Sequence, residues 1–250
     1  MTELVLAGSA LAPVAAAGSW LYYACSWPSS QVLGPALVRG PEGGRRVALT
    51  FDDGPAPPFT SQILDILARE RVPAAFFVCG KNVERYPEIV GRIQREGHTL
   101  GNHTFSHPLF YGKGRPRIEA EIDRTQKAVE RVTGQRLRLF RPPYGVRWFG
   151  LFPALRARGL TAVQWSDTGY DWKPRHGPAE IVRRALRRLR GGSVILLHDG
   201  REPRAAGEVD ASPTVAALPA ILEGARAAGF RFVPLEQFLS PPWSEPRNGG

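Results

Sequence analysis

From Arg46 onward the chain alternates short apolar runs with longer segments of helical periodicity, and this limits the fold more than anything else in it. Strand-type runs occupy Val47–Phe51, Ala74–Val78, Thr99–Leu100, Leu137–Phe140, Thr161–Trp165, Ser193–Leu197 and Phe230–Val233. Between them lie "FTSQILDILARE", "YPEIVGRIQREG", "RIEAEIDRTQKAVERVTG", "LFPALRARG", "PAEIVRRALRRLRGG" and "TVAALPAILEGARAAG". Several of these end on Gly after a basic last turn, as a helix C-terminus does. Strand and helix in alternation predict an α/β protein with a mostly parallel sheet. About seven such units in roughly 200 residues suit a closed or distorted barrel better than an open two-layer sheet.

The chemistry-bearing residues sit where the apolar runs stop. Asp52 and Asp53 follow the first run, His103 and His107 the third, "RPPYG" the fourth, "DTGYDW" the fifth and "HDG" the sixth. In an α/β barrel the C-terminal ends of the strands share one face, where active sites are built. Taken singly, each cluster has an ordinary reading: a Gly-Pro turn, an incidental pair of histidines, a Pro-Pro turn with a surface arginine, a core histidine. Chance placement would scatter them over helices and loops, so their convergence on one face points to a site.

Adjacent carboxylates repel, and the pair Asp52 and Asp53 calls for a positive partner. His103 and His107 are four apart, so a helical turn after their strand would put both imidazoles on one side. Two imidazoles and one aspartate make a donor set typical of catalytic zinc with an open position for water. One carboxylate of the pair then binds the ion, and the other, held beside it, is placed to act as a general base. Arg141 in "RPPYG" suits the task of holding the unligated carboxylate, since guanidinium and carboxylate pair bidentately. His198 ends a buried run and is placed to act as acid or base near neutral pH, with Asp167 or Asp171 as its partner and Trp172 as a pocket wall. Asp199, charged and next in the chain, suggests that the backbone is already leaving the core there.

The N-terminal part is a separate object. No charged residue occurs from Leu4 to Trp27, a length sufficient to cross a hydrocarbon core as a helix. Glu3 is the only charged side chain before that run, which lacks the basic start of a cleaved signal. An uncleaved apolar anchor helix over residues 1–27 is therefore expected, then a linker over 28–45, a catalytic domain over 46–240 and a tail over 241–250. The arrangement predicts membrane association through residues 4–27 and a catalytic domain outside the cytoplasm, although Arg39, Arg45 and Arg46 argue for the opposite orientation under the positive-inside rule. The formal charge of +10, carried almost wholly by arginine, favours anionic partners. The densest cluster, "IVRRALRRLRGG", reads as the solvated face of an amphipathic helix, and no nucleic-acid motif accompanies it. Cys25 and Cys79 form no CxxC pair.

"TFDDGP", "HTFSHP", "RPPYG", "DTGYDW" and "ILLHD", in this order, resemble the motifs of the polysaccharide deacetylases of carbohydrate esterase family 4, of the chitooligosaccharide deacetylase type. The resemblance spans about Arg46 to Leu239, and no motif position departs from it. It implies a distorted (β/α) barrel with one divalent metal, Zn²⁺ or else Co²⁺ or another transition ion. It implies Asp53, His103 and His107 as metal ligands, Asp52 as base and Arg141 as the residue that orients the base. Tyr144 would give a backbone N–H to the oxyanion, Asp171 would tune His198, His198 would be the acid, and Trp172 and Leu196 would wall the acetyl pocket. The expected activity is metal-dependent N-deacetylation of an N-acetylglucosamine-containing glycan, peptidoglycan or chitooligosaccharide. O-deacetylation of acetylxylan and non-catalytic, membrane-anchored glycan binding are the alternatives.

Overall fold

The computed structural model describes residues 16–200 and 210–239. Helix α1 is described over residues 16–26. There follow β1 (Ala36–Leu37), β2 (Arg46–Asp52), α2 (Phe59–Glu70), β3 (Ala75–Val78), α3 (Gly80–Arg85), α4 (Pro87–Arg95), β4 (Thr99–Asn102), α5 (Arg115–Thr133) and β5 (Leu139–Phe140). A 3₁₀ turn at Pro143–Gly145 leads to α6 (Leu151–Arg156), β6 (Thr161–Val163), β7 (Asp167–Thr168), α7 (Pro178–Leu186), β8 (Val194–His198), α8 (Ser212–Ala227), β9 (Arg231–Phe232) and a closing 3₁₀ turn at Leu235–Phe238.

The strands pair in the order β1-β6-β5-β4-β3-β2-β8-β7, with β9 added to β2, and every pairing is parallel. β6 and β7 lie near opposite ends of this path, yet Val163 and Asp167 are four residues apart in the chain. Four extended residues span at most about 14 Å, so the sheet must curl until its two edges nearly meet. The predicted distorted barrel is thus a curled half-barrel with helices outside. Ion pairing of Arg39, just after β1, with Asp167 of β7 at 3.3 Å ties the seam.

Alternation of side chains along the strands sorts the core. Leu49 and Phe51 of β2, Phe76 and Val78 of β3, and Ile195 and Leu197 of β8 pack outward against Ile63, Leu67, Ile181 and Ile221 of the helices. Ala48, Ala75 and Val194 point inward to the barrel floor, closed by Val233, Leu235 and Phe238. Moving up the same inward column, β2 continues through Thr50 to Asp52 and β8 through Leu196 to His198, so the interior changes from apolar to titratable at the upper rim. β2 is flanked on both sides by strands, which is why "RVALTFD" is buried nearly throughout.

Three elements were not legible as units in the sequence. The two-residue strands β1 and β7 carry too few residues for a period, and α3 is one short turn-and-a-half opened by Gly80. Residues 28–45 are joined to the domain by β1 and by Arg39 instead of running free as a linker. Arg147, almost wholly buried, donates to the carbonyls of Trp27 and Pro28 and clamps the end of α1 to the domain. Residues 4–15 of the expected anchor and the tail 241–250 lie outside the described residues. Among the described residues no helix is long and apolar enough to cross a membrane.

Candidate active site and metal centre

β2 and β8 are in register at their last residues, Asp52 opposite His198. Strict alternation would send Asp53 to the outer face, away from Asp52. Instead Asp53 takes a left-handed φ of 75°, which ends the strand and swings its carboxylate back over the rim. Gly54 follows because a Cβ there would collide with the Asp199 carboxylate. Asp199 is not at the surface: it is buried, accepting from Gly54 N–H at 3.1 Å and from Thr60 Oγ1 at 2.7 Å, and so binds the Asp-Gly turn to the end of β8.

The histidines arrive by another route than the spacing suggested. "HTFSHP" is a loop, not a helical turn, and two of its residues, Thr104 and His107, have φ of 67° and 51°. The result is nonetheless a close pair, with ring centroids 4.9 Å apart. His103 Nδ1 lies 2.7 Å from the carbonyl oxygen of Arg141, which can only accept. The proton is therefore on Nδ1, and Nε2 presents a lone pair. That lone pair is 3.3 Å from Asp53 Oδ1, and His107 Nε2 is 3.2 Å from the same oxygen. Asp53 Oδ1 is buried and has no hydrogen-bond partner. A buried carboxylate oxygen with no hydrogen-bond donor, facing two imidazole nitrogens, suits a cation held among them. Asp53, His103 and His107, with ligand atoms all within 4.8 Å of one another, fit a divalent ion.

Asp52 is kept apart from this trio. Arg141, 0% exposed, donates to Asp52 Oδ1 at 2.6 Å and to Thr50 Oγ1 at 2.9 Å with one nitrogen, and to Gln164 O at 3.0 Å with the other. Asp52 Oδ2 is left facing His103 Nε2 at 3.7 Å. Arg141 lies 4.1 Å over the Phe77 ring, so the barrel interior fixes the guanidinium plane as well as its charge.

On the far side of the pocket His198 Nδ1 donates to Asp171 Oδ1 at 3.0 Å. Asp171 Oδ2 accepts from His198 N–H at 2.7 Å and from Thr214 Oγ1 at 2.8 Å. Asp167, the other partner considered from sequence, is engaged by Arg39 and Ser166 instead. Burial opposes charging of His198, but the Asp171 carboxylate, with Asp53 and Asp52 beyond it, pushes the imidazole up to about 9. Burial would raise Asp53 too, yet His107, His103 and His198 around it hold its carboxyl well below the usual range. Burial, with the Asp53 and Asp52 carboxylates adding to it, pushes Asp199 up to about 7 despite the hydrogen bond from Thr60.

The pocket gathers every site residue read from the sequence except Asp167 and Arg141, the latter lying beneath it: Asp52, Asp53, His103, His107, Tyr144, Asp171, Trp172, Leu196 and His198 all line it. Tyr144, at φ 57° in its 3₁₀ turn, sets its ring 4.6 Å from that of His107. Trp172 meets His198 edge-on at 5.2 Å. Trp165 and Thr214 complete the walls. Neither stood out in the sequence, because Trp165 reads as the end of a strand and Thr214 as the start of a helix.

A profile of the polysaccharide deacetylase family matches residues 39–163. A chitooligosaccharide deacetylase of Sinorhizobium fredii is 38% identical over 198 residues, which span 78% of this chain and 92% of that protein. The chain belongs to the polysaccharide deacetylase family. A peptidoglycan-N-acetylglucosamine deacetylase of Bacillus cereus is 35% identical over 80% of this chain and 90% of its own length. Among solved structures, the Bc1960 peptidoglycan N-acetylglucosamine deacetylase matches with a TM-score of 0.74 and 36% identity, over 81% of this chain and 91% of that one. As a polysaccharide deacetylase the chain is a hydrolase, and the Asp53, His103, His107 set provides the place for a divalent ion.

Proposed function

We propose that this deacetylase removes N-acetyl groups from an N-acetylglucosamine-containing glycan, peptidoglycan or a chitooligosaccharide. The observation that carries the reading is the division of one pocket into two unlike halves. Asp53, His103 and His107 form a place for a cation beside the arginine-held Asp52, and the His198–Asp171 pair faces them. The substrates named for the relatives above support the choice of glycan.

The ion is assigned as Zn²⁺, because two imidazoles and one carboxylate suit it; when bound it would polarise the acetamide carbonyl and acidify a water. Asp52 takes the proton of the attacking water on Oδ2, since Oδ1 is occupied by Arg141. Tyr144 offers its backbone N–H to the developing oxyanion. His198 delivers a proton from Nε2 to the departing sugar nitrogen, its Nδ1–H being held by Asp171. Leu196, Trp172 and Trp165 enclose the acetyl methyl.

Acetate release from chitin oligomers, purified peptidoglycan and acetylxylan, each with and without chelator, tests the reading. N-acetyl substrates should lead and chelator should abolish turnover; acetylxylan as the sole good substrate would overturn it. His198→Ala should depress amide hydrolysis by roughly 10²- to 10⁴-fold while sparing an aryl acetate, whose phenolate leaves unprotonated. Equal losses on both substrates would remove His198 as the acid.

Residues 4–27 are further proposed to hold the catalytic domain at a membrane, on its outer side. The uncharged run supports this, as do Trp20, Tyr22, Tyr23 and Trp27, exposed residue types favoured at the lipid interface. Full-length protein should sediment with membranes; wholly soluble, uncleaved protein would refute it.

A further inference from the structure

The loop that carries both histidines holds an unfavourable shape. Thr104 and His107 both occupy the left-handed region, at φ 67° and 51°, which is unfavourable for a residue with a side chain and persists only where the surroundings over-determine it. Part of the restraint is local: Asn102 Oδ1 accepts from Thr104 N–H at 2.9 Å, and Thr104 Oγ1 from His107 N–H at 3.1 Å. Gly80 and Lys81 of α3 donate to the carbonyls of Thr104 and Phe105, both at 2.9 Å.

The remaining restraint comes from a residue that no step above uses. Glu121, on α5, is 2% exposed and points away from the pocket into the back of the loop. Its Oε2 accepts from Phe105 N–H at 3.1 Å and from Ser106 N–H at 2.8 Å, and its Oε1 accepts from Ser106 Oγ at 2.9 Å. One buried side chain thus satisfies the consecutive amides lying between the histidines. The cation paired with it is Arg117, itself 57% exposed, at 3.2 Å. A carboxylate this deeply buried is retained at a cost in desolvation, and an exposed ion pair recovers little of it.

We propose that Glu121 is a positioning residue for the metal centre: it fixes the His103–His107 loop in the strained shape that brings both Nε2 atoms onto Asp53. The inference rests on the metal-site reading above. It concerns hydrogen bonding and not charge, which makes Glu121→Gln decisive. With an amide oxygen in the place of Oε2, the glutamine side chain accepts both backbone N–H groups, and its NH₂ donates to the Ser106 hydroxyl. An alanine leaves both amides buried and unpaired.

The test uses the full chain and reads Zn²⁺ affinity by competition with a fluorescent chelator, together with the visible absorption of Co²⁺-loaded protein as a report on ligand geometry. Glu121→Ala should weaken Zn²⁺ binding by on the order of 10- to 100-fold and alter the Co²⁺ spectrum. Glu121→Gln should stay within about fivefold of the wild type with an unchanged spectrum, since neutral hydrogen bonds replace charge-assisted ones. Ser106→Ala, which removes one bond and leaves both amides satisfied, should fall between Glu121→Ala and the wild type. Should Glu121→Ala fail to fold, the glutamine and Ser106 variants still decide. A glutamine variant as weak as alanine, or weaker than the wild type by about tenfold or more, would show that charge and not loop restraint is at work and would overturn the proposal. An alanine variant that folds and binds Zn²⁺ like the wild type would overturn it while leaving the metal site standing. A wild-type chain that binds no Zn²⁺ or Co²⁺ would overturn both.

Discussion

Replacing Arg141 with Met offers the sharpest test of how the interior holds Asp52. The guanidinium is fully buried, and its bonds to Asp52, Thr50 and Gln164 measure 2.6, 2.9 and 3.0 Å. Methionine fills much of the same space over Phe77, so the loss is chiefly that of the cation. Asp52, 3% exposed, would then be a buried carboxylate without its partner. Breaking a buried pair from one side costs about 3–5 kcal/mol. At about 2–4 °C per kcal/mol for a chain of this size, the melting temperature should fall by about 6–20 °C. Thermal unfolding is followed by circular dichroism in chelator, so that no bound cation compensates Asp52. Adding Asp52→Asn removes the orphaned charge and should restore at least roughly half of the loss, as expected for residues coupled by direct contact. If the single variant melts within about 2 °C of the wild type, the pair contributes little. A double variant no better than the single would place the cost in packing against Phe77 and not in the stranded carboxylate.

The two neighbouring aspartates should separate by metal content: Asp52→Asn keeps its ion and loses roughly 10²- to 10⁴-fold in turnover, whereas Asp53→Asn loses both, and retention of the ion by Asp53→Asn would exchange the roles. Asp171→Asn should move the alkaline limb of kcat/KM to lower pH. In the wild type His198 is raised to about 9, so its acid form persists through neutral pH and is lost only as pH rises through that value; without the carboxylate the loss begins earlier, and an unmoved limb would refute the pairing. Deleting residues 1–39 should lower the melting temperature measurably, because Arg147 loses its carbonyl acceptors at Trp27 and Pro28 and β6 loses β1; an unchanged melting temperature would show that the clamp is idle.

That the candidate site residues share one pocket was visible in the sequence because each motif follows a strand, and strand ends of a parallel barrel share a face. The identity of the partners was less visible. Asp171 and Asp167 have equal claims on His198 from spacing alone; the choice falls to Asp171 because Asp167 lies on β7, where Arg39 from the far edge of the sheet reaches it. Likewise Asp199 looked like the first residue out of the core, but the Asp53–Gly54 turn folds over it and makes it a buried tie.

Local sequence determined the longer elements, since an apolar run or an amphipathic period needs only its own neighbours to be read, and it determined which residue types end each of those strands. Several things were decided by tertiary structure alone. Curling of the sheet brought the edges that carry β6 and β7 together, so that the strand ends share one pocket. Left-handed backbone at Asp53, Thr104 and His107 aimed the ligands, and no helical repeat could have shown it, because these angles cost free energy locally and persist only through bonds from distant segments. Glu121 is the residue through which α5 acts on the histidine loop, and Arg141 holds Asp52 from inside the barrel. Arg141 could be singled out from its motif, whereas Glu121 is an ordinary charged residue of an amphipathic helix and acquires its place only when α5 buries it against the histidine loop.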